Sequence, residues 1–111
     1  MSSLYPSDPE LLKAVLDPLL EDFRYWFGRS IQLLESEKIH FFSVQEQQNL
    51  LQKIQEAQRQ VSAAQALSAA TQNQAGIDMP LVMTWHQLVQ ECWQVASRFR
   101  QETKPNPQRN H

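Results

Sequence analysis

The sequence predicts an all-α fold, an antiparallel up-down-up bundle of three helices. Three observations carry that prediction. Apolar residues recur every three to four positions through three long stretches, the spacing of one helical face. Each stretch opens on a helix-starting signal. Only two glycines, Gly28 and Gly76, occur in 111 residues, which leaves little material for hairpin turns.

The first helix is expected to start at Asp8-Pro9. Aspartate accepts from free amides at a helix start, and proline suits the first helical position. Its apolar positions are Leu12, Val15, Leu16, Leu19, Leu20, Phe23, Trp26, Phe27, Ile31 and Leu34. So broad a stripe suits a helix packed on two neighbours. Pro18 lies inside the run, lacks a backbone donor, and is expected to kink the helix about one turn upstream. A break there would give four helices instead of three. The helix is expected to end near Glu37, and Lys38 to Phe42 to form a short connection.

Ser43-Val44-Gln45-Glu46 has the form of a capping box, in which serine and glutamate satisfy each other's backbone amides. The second helix follows, with Leu50, Leu51, Ile54, Ala57, Val61, Ala64 and Leu67 as its buried side. Its alanine-rich second half favours helix and lets a neighbour approach closely. Gly76 is the expected end-cap, and Asp78 with Pro80 the start of a third helix. That helix carries Leu81, Val82, Trp85, Leu88, Val89, Cys92, Trp93, Ala96 and Phe99 on its apolar stripe. The organisation is thus a flexible arm over residues 1–7, one helical domain over 8–103, and a polar, proline-interrupted tail over 104–111, expected to be disordered.

Composition narrows the function classes. Hydrophobic residues make up 41% of the chain, enough for a core. Ten basic and twelve acidic residues give a net charge of -2, and nucleic-acid binding, which needs a concentrated basic face, is not expected. No apolar run approaches the length of a membrane span, and the first residues lack the pattern of a secretory signal, so the cytoplasm is the expected location. The single cysteine, Cys92, cannot form an internal disulfide. The abundant glutamines read as solvated helix surface.

Candidate chemistry is sparse. Glu37-Lys38-Ile39-His40 has the Glu-x-x-His spacing of carboxylate-bridged di-iron bundles, but that chemistry needs a second such motif and two more inward glutamates. No metal or cofactor is therefore expected. His86 and Glu91 are candidates for a pocket on the third helix, in which they would have to converge. Cys92 lies six residues beyond His86, off its face, and on the apolar stripe it reads as a buried inert thiol. The stronger signal is aromatic. Phe23, Tyr25, Trp26 and Phe27 point in nearly every direction around one helix, so at least one ring must face outward. An exposed Trp or Tyr beside arginines is characteristic of an interface, which makes Arg24, Tyr25, Trp26 and Arg29 the candidate interaction surface.

Several strings also resemble a known family: Asp8-Pro-Glu-Leu-Leu-Lys, Leu19-Leu-Glu-Asp-Phe-Arg-Tyr-Trp-Phe, Ala63-Ala-Gln-Ala-Leu and Trp85-His-Gln-Leu-Val-Gln-Glu-Cys-Trp. They resemble a family of short, all-helical cyanobacterial proteins known as a conserved domain of unknown function, across about Asp8 to Arg100. The resemblance implies a cyanobacterial source and a cytoplasmic or thylakoid-peripheral setting. It brings no activity and no catalytic residue. The residues and the resemblance together lead to the expectation of a non-catalytic interaction protein whose partner is another protein or a second copy of itself. The alternative is a small enzyme or an apolar-ligand or pigment binder using the region around His86.

Overall fold

The structure, a computed structural model, describes residues 9–71 and 78–103, with side chains described over 14–70 and 78–103. The expected Asp8 cap, the Leu12 side chain, the Gly76 end-cap, the N-terminal arm and the C-terminal tail lie outside the described residues. Three helices follow in order: α1 (Pro9–Ser36), α2 (Val44–Thr71) and α3 (Met79–Thr103). Among the described residues there is no strand.

The local start signals act as their chemistry requires. Ser43 Oγ accepts from the Glu46 amide at 3.0 Å, while Glu46 Oε1 accepts from the Ser43 amide at 2.8 Å. Asp78 Oδ1 accepts from the Leu81 amide at 3.2 Å. α1 is continuous through Pro18, so the four-helix alternative is not adopted. Pro18 and Ala14, whose carbonyl would have received the missing bond, are both exposed, and water can satisfy that carbonyl.

The end of α1 is closed by a residue from another helix. Gln47, on α2, donates through its amide to the carbonyls of Leu34 at 2.9 Å and Glu37 at 2.8 Å. Its side-chain oxygen accepts from the Ile39 amide at 3.0 Å. These are orphan groups that every helix end must satisfy somehow. Ile39, expected to be mere connection, is fully buried with Phe27, Ile54 and Val61 at the heart of the core.

The helices run up, down, up. α1 and α2 are antiparallel: Gln58 Nε2 donates to the Arg24 carbonyl at 3.1 Å, and Gln65 Nε2 to Glu21 Oε2 at 3.1 Å. α1 and α3 run the same way, with Phe23 against Trp85 and Trp26 against Trp93. α1 is therefore the central element, packing on both neighbours. α2 and α3 are joined by Trp85 Nε1 donating to Gln60 Oε1 at 3.0 Å. The expectation that glutamine forms only solvated surface is thus corrected at four positions. Gln47, Gln58, Gln60 and Gln65 link helices, because a long neutral amide can leave the apolar seam and still reach a backbone or side-chain partner.

The apolar stripes hold for Leu20, Phe23, Phe27, Leu34, Leu50, Leu51 and Ile54, all buried. Three stripe residues are corrected. Val15, Leu67 and Trp93 are exposed, at 54%, 52% and 45%. Trp93 follows Cys92 by one residue, which turns it about 100° round the helix and off the buried line.

Candidate functional site

The exposed position of Trp93 creates the most distinctive surface of the molecule. On α1, the buried line runs through Phe23 and Phe27. Trp26 sits beside that line, half-buried, and Tyr25 is a further step round, 51% exposed. On α3, Cys92 stands beside Ser30, and the long Trp93 side chain reaches the Trp26 ring on the neighbouring helix. The three rings form a continuous edge-to-face series. Tyr25 and Trp26 have centroids 5.0 Å apart at 81°, and Trp26 and Trp93 5.5 Å apart at 85°. This is the arrangement that ring quadrupoles favour.

Arg29, one turn on from Tyr25, donates from Nη1 to the Tyr25 hydroxyl at 3.0 Å and lies 5.8 Å from the centre of that ring. The contact holds the arginine on the aromatic rim without neutralising its charge. Below the rim a groove of about 650 Å³ opens between α1 and α3. Trp26, Trp93 and Phe99 wall it, and Arg29 and Arg100 stand at it. Cys92 contributes to its inner surface beside Ser30. Burial pushes the Cys92 thiol above its ordinary value, against a smaller opposing effect of its hydrogen bond with Ser30. It is held as a neutral thiol, a weak nucleophile.

Of the four residues expected to form an interaction surface, three come together. Trp26 and Arg29 line the groove, and Tyr25 forms its outer rim by packing on Trp26 and accepting from Arg29. Arg24 does not line the groove and stands 4.0 Å from Glu21 instead. Two residues of the surface, Trp93 and Arg100, were not among those expected. Trp93 falls on the expected core stripe, although its offset of one residue from Cys92 is a visible signal that both cannot point inward. Arg100 could be found only from the packing of α3 on α1.

His86 and Glu91 are not brought together. Five residues separate them, which sets them about 140° apart around α3. His86 is exposed, with Nε2 3.4 Å from Gln90 Nε2. Glu91 faces α2 and pairs with Lys53 at 3.6 Å. It borders a second, shallower groove of about 520 Å³ with Phe41, Phe42, Val95 and Arg98. His40, of the Glu-x-x-His spacing, pairs through Nε2 with Glu102 Oε1 at 2.6 Å, and Arg98 pairs with the other oxygen of Glu102 while lying 4.0 Å from the Phe41 ring centre. Arg98 first, and then His40, hold the Glu102 carboxyl below its ordinary value. Among the described residues no three His, Cys, Asp or Glu side chains gather to hold a metal ion. No described helix is long and apolar enough to cross a membrane.

The fold and this surface define a small helical bundle that carries an aromatic, arginine-edged groove along its central helix. The chain belongs to the family described as "Protein of unknown function (DUF2605)", whose model matches residues 6–101. No curated protein and no solved structure matches the chain.

Proposed function

We propose that this protein is a non-catalytic interaction module, an adaptor or assembly helper, that docks another protein in the groove between α1 and α3. One observation carries the reading. An aromatic series built by two helices, with Tyr25 and Trp93 each about half exposed, ends beside guanidinium groups at a groove with apolar walls. Water-exposed Trp and Tyr next to arginine is the composition of residues that dominate binding at protein interfaces. The alternative, an enzyme or ligand pocket at His86 and Glu91, draws no support from a geometry that sends the two side chains to different sides of α3. The strings that resemble a cyanobacterial family suggest a cyanobacterial cytoplasm, within reach of the thylakoid surface, as the setting.

The test compares partner capture from an extract of the source cells by the wild-type chain, Tyr25→Ala, Trp93→Leu and the control His86→Ala. Trp93→Leu keeps apolar volume against Trp26 and so preserves the fold. The expected result is a stoichiometric partner held by wild type and His86→Ala and lost by both groove variants, with circular dichroism and thermal midpoints close to wild type. Capture that survives in both folded groove variants, or that fails only in His86→Ala, overturns the assignment.

A further inference from the structure

We propose that the segment bound in the α1–α3 groove is an acidic amphipathic helix, with one bulky apolar anchor and two carboxylates on the same face. The inference rests on the docking reading above and adds the chemistry of the partner.

Charge is the first argument. The protein carries a net charge of -2, yet among the described residues the charged side chains that line this groove are both cationic, Arg29 and Arg100, and no acidic side chain lines it. Arg29 is held by a neutral hydroxyl, so its charge is unspent. The second groove is different, because each of its cations already faces a carboxylate, Lys53 with Glu91 and Arg98 with Glu102. Guanidinium groups at an apolar rim prefer carboxylates, which they can engage through two parallel hydrogen bonds.

Placement is the second argument. Cys92 stands beside Ser30 on the parallel helices α1 and α3. Arg29 precedes Ser30 by one residue and Arg100 follows Cys92 by eight, so at about 1.5 Å per residue the two guanidinium groups originate roughly 13.5 Å apart along the groove. A helix lying along the groove presents from a single face an apolar side chain against the tryptophans and carboxylates along the track between Arg29 and Arg100. A nucleic acid would require a longer basic track, and an anionic membrane a convex rather than a recessed cationic surface.

The experiment selects helical peptides of about sixteen residues from a random display library against the full chain, and measures the selected peptides by calorimetry. The expected selection is a Leu, Phe or Trp with two Asp or Glu on the same helical face. Converting those carboxylates to amides weakens binding at least about tenfold. The double variant Arg29→Glu, Arg100→Glu, whose changes are both on exposed side chains, reverses the preference toward Lys and Arg at the same two positions. Peptides that dock in a Trp93-dependent way but show no preference for acid at those positions overturn this inference and leave the docking groove standing. Failure to select any peptide whose binding falls in Trp93→Leu overturns both. Loss of self-association in the double variant assigns the groove to a second copy of the chain. Arginine-dependent binding to phosphatidylcholine vesicles containing one-quarter phosphatidylserine, without peptide selection, assigns it to a lipid surface. Either result overturns the inference.

Discussion

Replacing Gly28 by alanine should make the protein more stable, and the geometry decides the sign. Gly28 lies in the middle of α1, on a half-buried part of its surface toward α2. A glycine in a helix interior is less favourable than alanine by about 0.8–1.0 kcal/mol, since the unfolded chain loses more freedom and no side chain covers the backbone. The gain is realised only if the new methyl has room. A β-carbon at this position meets Gln58 Nε2 at 3.7 Å, an ordinary van der Waals contact with the end of a flexible side chain. The amide bond from Gln58 to the Arg24 carbonyl can therefore persist. With about 2.1 cal/mol/K of unfolding entropy per residue over 111 residues, 1 kcal/mol corresponds to a rise in Tm of about 4 °C. Thermal unfolding and urea titration of Gly28→Ala, with an unchanged urea slope, measure it. A fall in both midpoints would refute the reasoning. It would mean that α1 and α2 approach more closely at this level than the 3.7 Å contact requires and that the missing side chain sets their distance.

Three further outcomes are expected. Gln47→Ala removes three hydrogen bonds at the end of α1 and should destabilise by about 2 kcal/mol. Gln47→Glu should be worse, because a carboxylate cannot donate to the Leu34 and Glu37 carbonyls and adds negative charge at a helix C-terminus; a neutral result in urea titration would remove the capping role. Glu102 has a folded value below its unfolded one, so its pairing with Arg98 and His40 supports the fold above the ordinary value near 4.5 and is lost as pH falls through the lower folded value. Arg98→Met should raise the Glu102 titration midpoint seen by NMR, and an unmoved midpoint would contradict the pairing. Cys92 has the opposite sign. Its folded value lies above the ordinary 9.0, so its contribution to stability is complete at neutral pH and is lost as pH rises through the folded value. A thiol reagent at pH 8 should react with the native protein at least about tenfold more slowly than with the same protein in urea, and equal rates would show the thiol to be open.

The parts of this fold that are legible in the sequence are those set by neighbours along the chain. The Ser43 box and the Asp78 cap are spelled out within four residues, and the helices begin where they say. The apolar period likewise marks Phe27, Ile54 and Val61 without any knowledge of their partners. Ile39 is different. It lies in a connection with no periodicity, and its burial follows only from the amide of Gln47 drawing the chain back over the end of the bundle. The interaction surface was half legible. Four aromatic or apolar-flanking positions on one helix must overflow its buried face, which identifies Tyr25 and Trp26. Which neighbouring helix meets them, and hence the participation of Trp93 and Arg100, depends on the handed packing of three helices. The linking role of the glutamines is hidden for the same reason, since an amide on a helix flank looks alike in sequence whether it meets water or another backbone.

Those inter-helix amides have a consequence for axial alignment. Beyond Val61 the second half of α2 turns only small or polar side chains inward, Ala64, Gln65 and Ser68, so apolar contact there would tolerate a slide of one turn, about 5.4 Å. Gln47, Gln58 and Gln65 attach to α1 at three levels, the first at its end and the others about three and four turns back. A slide would detach all three together and strand the Ile39 amide. They act as indexing pins. They allow one alignment and so fix which residue of α2 stands opposite each residue of α1. Because α1 is also one wall of the groove, the same pins hold Tyr25, Trp26 and Arg29 at a defined height on the bundle.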